Sequence, residues 1–382
     1  MKRSTFLKMM AGGLGAFAAT RRDVHADVPN IPAPVNPTPP ARDRSLQLEV
    51  EHAIDKGLHS LHDQQKPGGF WSGPEAPGLS GLVLTALVCE PTGAIRANPP
   101  DFVKKGYDFL LQSQQPDGGI YQKGLANYCT SVCVMALMAA DPVAYGPIIQ
   151  RARNYLITGQ AEYPAGSEGE PFNGGIGYGE HAMHRDVSNT SFALEALHET
   201  KQFKDSPDAK DLDWKAAIGF LERCQNTAAN KAAWVKTDAK NLGGFVYEPL
   251  NKKGLGSYGS MSYAGLLSYI YANVGKDDPR VTAVFDWLSH NYTLEENPGM
   301  GQEGLFYYYH TMSKGLSAHG TETLTVADGK KVDWASELAL KLINLQNADG
   351  SWVNASGRWW EKDPALVTAY AVRTLEMVHA RV

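Results

Sequence analysis

A short turn, built from glycine followed by an aromatic or branched residue, recurs along this chain and constrains its fold more than any other feature. It reads Gly68-Gly69-Phe70-Trp71, Gly118-Gly119-Ile120-Tyr121, Gly174-Gly175-Ile176-Gly177-Tyr178, Gly243-Gly244-Phe245-Val246-Tyr247, Gly304-Leu305-Phe306-Tyr307 and Gly350-Ser351-Trp352. A fixed recurrence of this kind, at roughly 50 to 70 residues, marks stacked supersecondary units. Each turn lies between two segments with apolar residues at helical spacing. The first of the two commonly closes in glutamine, as in LHDQQKPGGFW, LLQSQQPDGGIY, LERCQN and LINLQNADGSW. The unit is therefore helix, glycine turn, helix.

The upstream segments, residues 46–63, 101–113, 145–158, 212–224, 279–290 and 332–345, are predicted to form outer helices. In the second of them Phe102, Gly106, Phe109 and Leu110 share one face while Lys104, Lys105 and Asp108 lie off it, the pattern of a helix with one wet side. The downstream segments, 79–89, 127–140, 186–199, 260–272, 307–318 and 364–379, are predicted to form an inner layer. SVCVMALMAA, at 131–140, is apolar nearly all round and needs neighbours on every side. A two-helix unit cannot bury a core alone, but units stacked in a ring cover both faces and leave no open end. The expected fold is all-α, an α/α toroid of about twelve helices in two layers over residues 46–382.

Two segments precede the repeats. Lys2, Arg3 and Lys8, the small apolar stretch Met9–Ala19 and Val24-His25-Ala26 form the pattern of a cleaved export signal over residues 1–26. KRSTFLKMM resembles a twin-arginine signal, with one lysine and one arginine in place of the pair, so a periplasmic or extracellular location is expected. Residues 27–45, with VPNIPAPVNPTPP, read as a proline-rich linker. No later stretch is long and apolar enough to cross a bilayer, so no integral membrane segment is expected in the mature protein. A net charge of −5 without basic runs argues against a nucleic-acid partner. Cys89, Cys129, Cys133 and Cys224 form no paired motif and lie mostly in apolar stretches, as buried thiols do.

The ordered glutamine, glycine and aromatic repeat resembles those of squalene and hopene cyclases and of the toroidal subunit of protein prenyltransferases, over roughly residues 46–380. The resemblance implies a barrel whose central cavity takes isoprenoid chains in the enzymes. Cyclases of the hopene type protonate an alkene with the middle aspartate of an Asp-x-Asp-Asp-Thr motif. The matching stretch here is Asp186-Val187-Ser188-Asn189-Thr190, which keeps the outer positions and places serine where the acid would stand. A serine hydroxyl is far too weak an acid for that step. Asp186 and Ser188 also suit helix capping. Prenyltransferases hold zinc through aspartate, cysteine and histidine. His181, His184, His310, Asp186 and Cys129 are the corresponding types here, in no compact ligand pattern, and no metal ligand or cofactor is assigned.

Three entrances to inner helices carry the candidate site residues. GEHAMHRD (179–186) places His184 before the helix that Asp186 opens. GLFYYYHTMSKGLSAHG (304–320) carries Tyr309, and His310 and Lys314 share a helix face. Consecutive tyrosines 307–309 point in different directions, so at least one is expected to reach the cavity. GRWWEKDP (357–364) crowds Arg358, Trp359 and Glu361 ahead of the last inner helix, with Asp363 and Pro364 suited to its cap and first turn. Tyr128, at the start of the second inner helix, completes the set. As candidates, Asp186, His184 and His310 are the catalytic groups, while Tyr128, Tyr309, Lys314, Arg358, Trp359 and Glu361 line the cavity. The expected ligand is an apolar or amphipathic small molecule. Whether the chain is an enzyme stays open. The alternatives are a carbohydrate-active toroid, which would show an open groove with two facing carboxylates, and a scaffold binding another protein at its rim.

Overall fold

The helix starts are written in side chains. Asp186, Asp213, Asp278, Asp333 and Asp363 each precede a helix and accept a hydrogen bond from a backbone amide of its first turn. Pro77, Pro279 and Pro364 stand in first turns, where a missing N–H leaves no bond unmade. The computed structural model describes residues 44–179, 184–204, 206, 209–251 and 254–382. The export segment 1–26 and linker residues 27–43 lie outside the described residues.

Among these residues the helices are α1 Arg44–Asp63, α2 Pro77–Val88, α3 Ala94–Ala97, α4 Asp101–Gln112, α5 Ala126–Ala140, α6 Gly146–Thr158, α7 Val187–Glu199, α8 Trp214–Cys224, α9 Gly259–Tyr271, α10 Pro279–His290, α11 Leu305–His319, α12 Trp334–Leu345 and α13 Pro364–His379. The inner helices close a ring: α2 packs on α5, α5 on α7, α7 on α9, α9 on α11, α11 on α13, and α13 returns to α2. Helices α1, α4, α6, α8, α10 and α12 form the outer layer. The fold is an all-α toroid, and the predicted segments fall on the observed helices to within a few residues. A short hairpin, β1 Leu324–Thr325 with β2 Lys331–Val332, precedes α12 and stands outside the repeat pattern.

The repeat has a physical meaning in this ring. The carboxamide of Gln65 donates to the Gly69 carbonyl of its own turn and to Phe102 O on the next outer helix. Gln114 does the same to Gly118 and Ile148, Gln225 to Gly243 and Arg280, and Gln346 to Gly350 and Ala53. Gln160, which does not belong to the glutamine-rich strings read from sequence, joins them through Gly174 and Asp213. The turn glycine is obligatory for two reasons. Gly350 has φ +83, and a Cβ there would lie 2.3 Å from the carbonyl oxygen of Lys56. The residue two places after that glycine enters the core, and its amide donates to a hydroxyl in the following inner helix: Trp71 to Ser80, Ile120 to Thr130, Ile176 to Thr190, Phe245 to Ser262 and Trp352 to Thr368. One backbone geometry is thus repeated around the ring, and it brings the first turns of all inner helices to one end of the bore.

Candidate functional site

That end holds a cavity of about 260 Å³. Its wall is drawn from the first turns of the inner helices: Leu79 of α2, Tyr128 of α5, Ser188 and Asn189 of α7, Ser260 and Met261 of α9, Tyr307 of α11 and Leu366 of α13. Phe192 and Tyr370, deeper in α7 and α13, complete its floor. There the rings of Tyr128 and Phe192 meet edge to face at 5.1 Å, Phe192 and Tyr307 at 6.1 Å, and Tyr307 and Tyr370 at 5.8 Å. Tyr178, Tyr247 and Tyr258 form the side wall, and Leu125, Trp359 and Trp360 the rim.

The hydroxyls on this wall largely satisfy one another. Tyr178 and Tyr247 lie 2.9 Å apart, and Ser188 pairs with Tyr307 at 3.0 Å. Burial raises the Tyr128, Tyr247 and Tyr307 hydroxyls well above the ordinary phenol value, so they are neutral. Rings make up most of the lining, with the unpartnered side-chain oxygen of Asn189 among them. Among the described residues the one carboxylate on the lining is Glu361, 1% exposed. Its Oε1 accepts from Tyr307 N at 2.8 Å, and its Oε2 from Phe306 N at 3.3 Å and Asn354 Nδ2 at 2.6 Å. Glu361 thereby caps α11, whose own N-cap is Gly304, and places negative charge at the positive end of that helix. Burial lifts its carboxyl above the usual range while these hydrogen bonds oppose the shift.

The rim stores strain. Trp359 and Trp360 have φ of +54 and +66, Leu125 has +49, and bulky side chains rarely adopt that region. Consecutive tryptophans held there, 42% and 53% exposed, are the kind of outlier that accompanies ligand sites. The indole of Trp359 lies against the bare backbone of Gly304, and Arg358 stacks on it at 4.6 Å.

Of the predicted site residues, Tyr128, Trp359 and Glu361 line the cavity. Asp186 does not. Its Oδ1 accepts from Asn189 N and its Oδ2 from Asn189 Nδ2, each at 2.8 Å, and desolvation behind the Tyr247 wall pushes its carboxyl up to about 7. It is a buried cap. Ser188, by contrast, caps nothing and points at Tyr307. Of the three consecutive tyrosines, Tyr307 reaches the cavity, whereas Tyr309 turns away and donates to Leu294 O at 2.5 Å. Lys314 pairs with Glu195 of α7 instead of acting with His310. His310 is buried beneath the floor, 5.3 Å from the Tyr370 ring, and desolvation holds it neutral, well below the ordinary imidazole value. Arg358 is held by Glu303 at 2.6 Å, outside the lining. His184 is exposed beside Glu248 at 3.4 Å, and His181 lies outside the described residues. With Asp186 saturated, Cys129 packed against Gly78 and His310 under the floor, the residues do not fit a prenyltransferase zinc site. Among the described residues no group of three metal-ligating side chains gathers.

Comparison with solved structures decides the architecture. The type II terpene cyclase MstE from Scytonema superposes with a TM-score of 0.56 at 13% identity, over 88% of this chain and 99% of that one. The fold is the terpenoid-cyclase α/α toroid. An aspartate-to-asparagine variant of MstE, in complex with its substrate geranylgeranyl dihydroxybenzoate, matches with a TM-score of 0.53 at 12% identity, over 89% of this chain and 100% of that one. A glycoside hydrolase family 76 mannosidase from Bacteroides thetaiotaomicron has the same toroid, with a TM-score of 0.54 at 13% identity, over 85% of this chain and 98% of that one. No protein-family model and no curated protein matches the sequence. Within the toroid, the Asp186–Thr190 stretch divides by role. Asp186 caps α7 and Thr190 receives the turn amide of Ile176, while Ser188 and Asn189 between them line the cavity.

Proposed function

We propose that this toroid is a small-molecule-binding protein whose central cavity takes an apolar or amphipathic ligand. The observation that carries this reading is the aromatic cup itself: a floor of four packed rings, a tyrosine wall and a tryptophan rim around about 260 Å³. The toroid of MstE, bound to a geranylgeranyl substrate, supports the same end use for this bore. Protonation of an alkene in the hopene-cyclase manner is not part of the proposal, because Ser188 occupies the acid's place and Asp186 is turned into its own helix. The carbohydrate reading is disfavoured by the lining, which among the described residues carries one carboxylate where glycoside hydrolysis uses two across the bond.

Purification of the full chain without detergent, followed by solvent extraction and mass spectrometry, tests the reading. A prenyl, acyl or comparable amphipathic molecule retained by the wild type and lost from Ser188→Trp, which fills the cup, is the expected result. Clean extracts together with no thermal shift from a panel of such molecules would overturn it. Export of residues 1–26 belongs to the same proposal, and an N-terminus at Asp27 on protein recovered outside the cytoplasm tests it.

A further inference from the structure

The lining of the cup is more selective than an apolar pocket needs to be. Its lining is rich in aromatic rings, whose quadrupoles are negative above the plane. The hydroxyls of Tyr178 and Tyr247, and of Ser188 and Tyr307, are paired, each pair keeping one O–H in reserve, and the buried side-chain oxygen of Asn189 has no partner. Among the described residues no lysine, arginine or histidine lines the cavity, and the single carboxyl that does is that of Glu361. The cationic group nearest the rim, Arg358, is neutralised by Glu303. A carboxylate set into a wall of rings is a liability for a hydrocarbon occupant and an asset for a positive one.

We propose that the cup recognises an organic cation whose charge is clothed in methyl groups, a quaternary ammonium on a small apolar or amphipathic body. This rests on the small-molecule reading of the cup and names its ligand class. A primary ammonium needs an acceptor for each of its three N–H groups, and beyond Glu361 and the Asn189 side-chain oxygen the lining is mostly rings. A trimethylammonium needs none, and gains from each ring face it touches and from Glu361 at short range. The neutralised helix ends favour the same sign of charge. Glu361 and Asp363 accept first-turn amides of α11 and α13, so the positive poles of those two inner helices are already offset.

Calorimetric titration of the full chain with choline and with 3,3-dimethylbutan-1-ol tests this, because the pair differs in charge and scarcely in shape. Choline is expected to bind at least about tenfold more tightly than the neutral isostere. Glu361→Gln, and independently Trp360→Leu at the exposed rim, should each shrink that ratio several-fold, and the second leaves the α11 cap intact if the first does not fold. Equal or inverted affinities would overturn the cation assignment while keeping the cup as an apolar site. Binding of neither molecule, nor of longer alkyltrimethylammonium and alkanol homologues, to folded wild type would overturn both this inference and the small-molecule reading beneath it.

Discussion

The side-chain amide of Gln346 lies 2.9 Å from the carbonyl oxygen of Ala53, and 293 residues of chain separate the two. That bond is the ring closure: the same contact that links the first four outer helices each to the next here links the last to the first. Gln346→Ala leaves the Ala53 and Gly350 carbonyls short of a donor, and should cost about 2 to 3 kcal/mol in a urea titration. A loss below about 0.5 kcal/mol would show that helix packing alone closes the toroid.

Two glycines separate conformational strain from collision. Gly93 has φ +69 and nothing within 4 Å of an added Cβ, whereas Gly350 has φ +83 with Lys56 O in the way. Gly93→Ala should cost about 1 kcal/mol, the strain alone. Gly350→Ala should cost at least about 3 kcal/mol, since rigid backbone must also shift. Similar losses at both would mean that α1 gives way easily.

Asp186 makes stability fall as pH rises. Its carboxyl titrates near 7 in the folded chain, against an ordinary value near 3.8. The folded state therefore holds a proton that the unfolded state has released, and the stabilisation present below about pH 4 is lost progressively up to about pH 7. Glu376, pushed up to about 8 by burial, slopes in the same direction. Asp186→Asn, which retains an acceptor for the α7 cap, should flatten the stability profile between pH 4 and 7. An unchanged slope, measured by denaturation across that range, would place Asp186 in a better solvated site.

Beneath the aromatic floor, Lys314 of α11 pairs with Glu195 of α7 across the bore. Lys314→Met leaves Glu195, 8% exposed, without its counter-charge and should cost about 3 to 5 kcal/mol. The double variant Lys314→Met, Glu195→Leu should recover most of that loss. A double variant as unstable as the single would show that the pair is worth more than apolar packing there.

The architecture was legible because it rests on one local geometry written repeatedly. Glutamine, positive-φ glycine and core residue each do the same work in successive turns, and their order survives where the aromatic becomes Ile120 or Ile176. The site was less legible, for a reason the inner helices make plain. They are buried on nearly every face, so helical periodicity does not say that Phe192 or Tyr370 points to the axis while Tyr309 points away. Polar residues at helix entrances drew attention to His184, His310 and Lys314, yet paired hydroxyls and an ion pair elsewhere answer for most of that polarity. One usable signal was present. Tyr178 and Tyr247 each follow their core residues, Ile176 and Phe245, by two positions in extended backbone, where alternate side chains share a side.

The strained rim sets function against stability. Trp360→Gly relieves a conformation with φ +66 and should raise stability by about 1 kcal/mol, although glycine loosens the unfolded chain. The same change should weaken ligand binding. A variant that is destabilised would show that the Trp360 side chain holds the segment in place.

The four rings from α5, α7, α11 and α13 divide the bore crosswise, with the Lys314–Glu195 pair beyond them. Among the described residues the two tryptophans therefore stand at one end of the cup and the ring floor at the other, so on the proposed function Trp359 and Trp360 set how long an occupant stays.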